Sequence, residues 1–325
     1  MPKLRSIQAL RGIAACAVVF HHGLGGAGTM PHARLGAVGV DLFFVISGFI
    51  IATVAADKRP RRFIADRVWR IFPLWLIALL PWLAMKPINL PTLLTSLTLW
   101  PIWNGAFHMP ALGVGWSLSF EMLFYAAFAL SLATRAIYPL ILFALAFVAS
   151  QFTDVALLNF TGSPLIFEFL AGVLIARLPR TELGLPVTVL AAAALLSAPV
   201  YFYADVVGAN ALARAVWWGL PSAFIVYGVL GLERHFRAGA AAPLIFLGDA
   251  SYAIYLFHQL IAGAGNPLLD IPAAIALGVA AHWFIERPIL NLRRRARPAS
   301  VVDIPGEPQP IAVPVSTGGT ARRRS

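Results

Sequence analysis

Apolar residues come in long runs separated by short polar or charged connections, and this pattern governs every later reading of the chain. A helix that crosses a hydrocarbon core of ~30 Å needs about 20 mostly apolar residues. The runs predict spans near 7–27, 36–56, 71–86, 116–134, 137–151, 164–177, 184–203, 212–232, 243–263 and 271–290. The expected fold class is therefore all-α, a polytopic membrane protein with about ten transmembrane helices. Several runs fall short of twenty residues, which implies tilt, aromatic anchors or local thinning of the bilayer. Residues 3–27 resemble a signal peptide in carrying Lys3, Arg5 and Arg11 ahead of an apolar stretch. No small-residue cleavage site follows, so a retained first span is expected.

Residues 90–112, LPTLLTSLTLWPIWNGAFHMPAL, interrupt the pattern: the segment is apolar but broken by Pro91, Pro101, Asn104, Gly105 and Pro110. If it crossed, every later segment would be inverted, and charge argues against that. With ten spans and 90–112 left as a re-entrant or interfacial segment, all of the 25 Lys and Arg except Arg34, Lys86 and Arg214 fall on one side. The positive-inside rule then places both termini in the cytoplasm. Backbone that is not helical at membrane depth must be covered by protein or line a wet cavity, so 90–112 is expected to cap a cavity on the outer side.

Composition agrees with this solvent: 59% of the 325 residues are hydrophobic and 12% charged, against about half and a quarter in soluble domains. The formal charge of +11 is concentrated in 57–70 and in the C-terminal RRRAR and RRRS, so it reads as topology and implies no nucleic-acid partner. Residues 1–295 form the expected membrane domain, with 296–325 a disordered basic, Pro-rich tail. Cys16, the single cysteine, excludes an internal disulfide. No internal repeat, phosphate-binding glycine loop or Cys/His metal signature is present.

Ionisable residues inside the spans carry the chemistry, because such groups are costly in lipid and usually line a substrate path. Eleven helical steps from Arg11 to His22 return to within about 20° of the starting face, ~16 Å along the axis, whereas His21 points about 80° away. His22 is therefore expected to line the substrate path on the face it shares with Arg11, which lies nearer the cytoplasmic boundary. Asp41, at the outer start of the second span, is placed to fix the imidazole tautomer. Arg67 and Arg70 sit at i and i+3 ahead of Pro73, facing the cytoplasm, where they can bind phosphate. Glu121 lies within WSLSFEMLFY (116–125), a turn below Trp116 and Ser117, and must face a cavity or a partner.

LRGIAACAVVFHH, GVDLFFVISGFII, RVWRIFP, WSLSFEMLFY, SYAIYLFHQ (251–259) and FIERPI (284–289) occur in that order from residue 10 to 289. Together they resemble acyltransferase family 3, integral membrane O-acyltransferases of the kind that acetylate bacterial O-antigen and exopolysaccharide. The resemblance implies transfer of an acyl group, most often acetyl from acetyl-CoA, to a hydroxyl of a cell-surface carbohydrate, an antibiotic or a lipid-linked saccharide. It lays the family's basic residue–x10–His motif on Arg11 and His22, its paired arginines on Arg67 and Arg70, and its glutamate on Glu121. His22, Asp41 and Glu121 are then the expected catalytic residues, and Arg11, Arg67 and Arg70 those that bind acyl-CoA. Trp116, Ser117 and His258 line the substrate cavity, with Asp249 a further candidate. No metal and no permanently bound cofactor is expected; acyl-CoA is the donor. The resemblance implies a bacterial inner membrane, and the chain is expected to depart from larger members of that family, which append an extracytoplasmic hydrolase-like domain, and to have only a short outer connection at 264–270. The rival class is a proton-coupled transporter or exporter of a polar solute, for which buried His, Asp and Glu are equally natural but paired broken helices in repeats would be needed.

Overall fold

The computed structural model describes residues 4–25, 31–55, 58–85, 87–200, 206–207, 209–236 and 238–295. The expected tail 296–325 lies outside the described residues. Helices α1 (Arg5–Gly25) and α2 (Val38–Val54), the latter entered through a 3-10 turn at Pro31–Ala37, are followed by α3 (Pro60–Met85) and α4 (Leu90–Thr98). A two-stranded hairpin, β1 (Ile102–Trp103) and β2 (Ala106–Phe107), leads to α5 (Gly115–Thr134), α6 (Tyr138–Ser150), α7 (Ala156–Thr161), α8 (Ile166–Ile175) and α9 (Gly184–Leu196). The chain closes with α10 (Ala209–Arg214), α11 (Leu220–Gly231), α12 (Ala238–Phe257), α13 (Pro267–Ala281) and α14 (Arg287–Arg295).

Among the described residues, seven helical segments are long and apolar enough to cross a membrane: Arg5–Leu24, Ala33–Val54, Pro60–Met85, Gly115–Thr134, Ala156–Ile175, Ala211–Gly231 and Pro267–Arg293. Helices α6 and α9 are apolar but have 13 residues each, a length of about 20 Å that falls short of a hydrocarbon core on its own. The 20-residue α12 packs along α1. The expectation of about ten spans counts these three as well; length and composition support seven.

The third element departs most from its expected bounds. It begins at Pro60 rather than near residue 71 and runs for 26 residues, about 39 Å. Arg67 and Arg70 therefore ride on a helix continuous with the span and are held rigidly at its mouth.

Residues 90–112 form no single helix. Asn89 caps α4 by accepting from the Thr92 N–H at 2.9 Å, and Leu99 ends it in the left-handed region. Asn104 (φ 51°) and Gly105 (φ 74°) then turn the hairpin, the two positive φ values of the turn that suits a two-residue loop. The segment is anchored from below: Trp75 Nε1 donates to Ser96 O at 2.8 Å, and Ser96 Oγ accepts from Ala111 N at 2.8 Å.

Without a hydrophobic drive between helices in lipid, close backbone approach at small residues holds such bundles together. A Cβ on Gly248 of α12 would lie 1.8 Å from Gln8 O of α1, and one on Gly12 would lie 2.4 Å from Leu244 O. Helices α2 and α8 interlock the same way, through Gly48 against Phe169 O and Gly172 against Val45 O, each at 2.0 Å. These two tight pairs place α1, α2 and α12 around one interior path.

Candidate active site

Two helical stripes face each other along that path. On α12, Ser251, Tyr252 and Tyr255 share one side, and His258, the first residue past its end in a 3-10 turn, continues that stripe. Each meets a different partner in order of depth. Ser251 Oγ accepts from Arg11 Nη2 at 2.9 Å, the Tyr252 ring lies 5.5 Å from the Arg70 guanidinium, Tyr255 OH is 2.7 Å from Ser117 Oγ, and His258 Nε2 is 3.1 Å from His22 Nδ1. On α1, Arg11, Val18 and His22 face the same way, as their spacing requires.

The hydrogen bonds around His22 decide which ring nitrogen can act. His258 is fully buried and its Nδ1 is 3.1 Å from Ile254 O. A carbonyl only accepts, so Nδ1 of His258 carries the proton and Nε2 accepts. His22 Nδ1 lies between that Nε2 and Val18 O, at 3.0 Å, and therefore donates to both. The lone pair of neutral His22 is thereby left on Nε2, which has no hydrogen-bond partner among the described residues. This is the arrangement a general base needs: one nitrogen fixed, the other bare.

Asp41 does not perform the expected tautomer-fixing role. Its carboxylate accepts from Arg214 Nη2 at 2.8 Å and Arg214 Nε at 3.1 Å, and both side chains are buried. The guanidinium lies between Trp116 and Trp218, 5.4 Å from each ring. An unpaired buried arginine would demand a carboxylate far more urgently than a histidine does, which is why Asp41 turns to it. His258 takes the place expected of Asp41. His21 also lines the chamber that holds His22, with its ring 4.8 Å away edge-on and its Nδ1 3.4 Å from Ala33 O.

Two cavities lie end to end. The inner chamber is lined by His21, His22, Trp116, Arg214, Tyr255 and Met109, the last from the end of the 90–112 segment. The end of that segment thus contributes to the wall of the chamber. The second cavity holds Arg11, Arg67, Arg70, Ser117 and Glu121, and it opens through the same three arginines onto a basic bowl that adds Trp69, Asp66 and Arg293. Val40 and Tyr255 line both the chamber and the second cavity.

Glu121 sits in the arginine cavity, away from His22, where Ser47 Oγ donates to it at 3.0 Å and Tyr125 OH donates to the same oxygen. Arg67 lies against the rings of both Phe63 and Tyr125, at 5.8 Å from each, and its buried Nε has no hydrogen-bond partner among the described residues. Arg70 is paired with Glu286, whose other oxygen is 2.7 Å from His282 Nδ1. Asp249 accepts from Gln8 Nε2 at 3.0 Å. Among the described residues no cluster of His, Cys, Asp and Glu is arranged to hold a metal.

The site thus unites His22 with His258, and Arg11, Arg67 and Arg70 with Glu121, while Trp116 and Ser117 flank the junction. Sequence reasoning missed Arg214, Tyr255, Glu286 and His282, and also Glu168, which is buried beside the Asp41–Arg214 pair. Only the last two of the quoted motifs hinted at them: Tyr255 lies in SYAIYLFHQ and Glu286 in FIERPI.

A multi-helix membrane protein with a bare imidazole nitrogen at one end of a buried path and three arginines at the other has the parts of an intramembrane group-transfer enzyme. Residues 4–285 match the family model described as Acyltransferase domain, so the chain belongs to that family and is an acyltransferase. It is similar to the exopolysaccharide production protein ExoZ of Rhizobium meliloti (strain 1021), 36% identical over an alignment that covers 83% of this chain and 94% of that protein. It is also similar to the acyltransferase MdmB of Streptomyces mycarofaciens, 26% identical over an alignment that covers 93% of this chain and 96% of that protein. No solved structure matches.

Proposed function

We propose that the protein transfers an acyl group, acetyl in the simplest case, from acyl-CoA on the cytoplasmic side to a hydroxyl of a cell-surface carbohydrate or lipid-linked saccharide. The observation that carries this reading is the junction itself: a cavity rich in arginine and a chamber with a bare histidine nitrogen share the wall formed by Val40 and Tyr255. CoA is anionic through its phosphates and stays in the cytoplasm, and the bowl of Arg67, Arg70 and Arg293 beside Trp69 suits a nucleotide phosphate. The similarity to a protein named for exopolysaccharide production supports a polysaccharide acceptor.

In this scheme the thioester arm rises past Arg11 and Glu121 and its carbonyl arrives at the junction. The acceptor hydroxyl enters the chamber from the outer side, against Trp116. His22 Nε2 takes the hydroxyl proton as the oxygen attacks the thioester carbon. The C–S bond then breaks, and the departing CoA sulfur recovers the proton from His22, so the enzyme ends as it began. The imidazolium formed in between donates through Nδ1 to Val18 O and His258 Nε2, which spreads its charge without a carboxylate. Arg214, already neutralised by Asp41, supplies a fixed dipole in the chamber wall.

Membrane vesicles given labelled acetyl-CoA and glycolipid acceptor test the reading. Label transferred to carbohydrate supports it. Free label released only into water, or solute flux without transfer, overturns it.

A further inference from the structure

We propose that Tyr255 determines which acyl groups this enzyme accepts, by setting the width of the passage between the arginine cavity and the His22 chamber. The inference rests on the acyl-CoA reading and goes beyond it, since that reading leaves the acyl group open.

Tyr255 is buried at 5% exposure and lines both cavities, as does Val40. Its hydroxyl is 2.9 Å from Val114 O and 2.7 Å from Ser117 Oγ, and Ser117 Oγ is 3.1 Å from Val114 O, so the two hydroxyl protons are shared among these three contacts. The two contacts of the Tyr255 hydroxyl tie α12 to the start of α5 across the path. The ring is held from both sides, edge-on to Phe43 at 6.0 Å and 6.1 Å from the His258 ring. A side chain fixed at its tip and along its flanks cannot swing to a new rotamer without losing buried hydrogen bonds, and each such loss costs free energy.

The shape of the donor turns this constriction into a filter. An acyl group reaches the chamber head first, with the unbranched thioester arm behind it. Acetyl is no wider than that arm, so any opening that admits the arm admits acetyl. A branched or aromatic acyl group is wider than the arm and meets the Tyr255 ring. Selection is thus by cross-section rather than by polarity, and it is exerted before His22 is reached. The same placement explains a tyrosine in preference to phenylalanine: the hydroxyl pins the ring that does the excluding.

The test compares transfer from acetyl-, isobutyryl- and benzoyl-CoA in membranes carrying the wild type, Tyr255→Phe, Tyr255→Ala and Val40→Ala. The readout is the ratio of branched or aromatic to acetyl transfer within each preparation, which is independent of abundance and of any general loss of rate through the neighbouring His258. The expected wild-type ratio is low. It should rise at least tenfold in Tyr255→Ala and severalfold in Tyr255→Phe, where the ring is retained but unpinned, and also severalfold in Val40→Ala on the opposite wall. Should Tyr255→Ala not accumulate, the Phe and Val40 variants decide. Ratios unchanged across the variants, with wild type active, would overturn the role of Tyr255 and leave the acyl-CoA reading intact. Wild-type membranes that transfer no acyl group from any of the three thioesters would overturn both.

Discussion

At the scale of single residues, the site depends on what each polar atom can accept or donate. His22 is useful because two acceptors, Val18 O and His258 Nε2, compete for its Nδ1 proton and leave Nε2 bare. Replacing His22 by Gln should lower the turnover of acyl transfer by at least ~10²-fold, the contribution of a positioned base, with donor binding preserved. His21→Ala should retain most activity, because the His21 ring points to Ala33 O. Rates at equal membrane abundance check both; an active His22→Gln beside a dead His21→Ala would reverse the assignment. His258 is a positioning residue. In His258→Phe the Nδ1 proton loses one acceptor and turnover should fall with donor KM unchanged, whereas His258→Asn, which keeps an acceptor oxygen, should recover part of the loss. At the other end of the path Arg70 is aimed by Glu286, which His282 holds in turn. Arg70→Ala removes charge-assisted contacts that are worth about 1.5–3 kcal/mol each, so the donor KM should rise about tenfold or more with little change in turnover. Glu286→Gln should move it in the same direction by less. An unaltered KM in both variants would return these groups to a purely structural role.

At the scale of elements, the register between α1 and α12 is the controlling quantity. Arg11 meets Ser251 at one end of the pair and His22 meets His258 at the other, so a single displacement disturbs donor mouth and base together. The register is set by backbone contact at Gly12 and Gly248, where no side chain fits. Gly248→Val must push the helices apart, since the added carbons would overlap Gln8 O. The expected result is a lower melting temperature in detergent and the loss of transfer activity, whereas Ala242→Val on the exposed part of the same helix should be neutral. Equal melting temperatures for the two variants would contradict the packing account. Helix α3 shows a second element-scale device: Pro73 and Pro81 lie inside it, each removing one helical hydrogen bond. The helix nonetheless continues from the arginine mouth to Met85, because Trp75, Ala78 and Leu79 bury its inner face.

At the scale of the whole molecule, the basic bowl of Arg67, Arg70 and Arg293 and the chamber beneath 90–112 lie at opposite ends of the path. The charge pattern predicts a cytoplasmic bowl. Cysteines introduced at Asn104 and at Ala136, in a background lacking Cys16, should therefore label from opposite sides of intact cells; labelling from one side would refute the topology. Much of this was legible in the sequence. The solvent, the helical class and the interruption of 90–112 follow from the length and breaks of apolar runs, which are local properties. The shared face of Arg11 and His22 follows from helical periodicity alone. The order of six short motifs was enough to indicate the acyltransferase family. Partner choice was not legible, because it depends on residues brought together from distant positions. Asp41 could be placed near His22 in depth, but only packing shows that Arg214, 173 positions away, claims its carboxylate. Likewise Arg214, read as an exception to the charge rule, is a buried cation whose cost in a low-dielectric interior is offset by that acid, with Glu168 buried beside the pair. The pairing of His22 with His258 spans 236 positions, and the narrowing at Tyr255 exists only where α12 crosses the start of α5. Periodicity determines which face a side chain occupies; which other face it meets is decided by the closest packing the small residues allow.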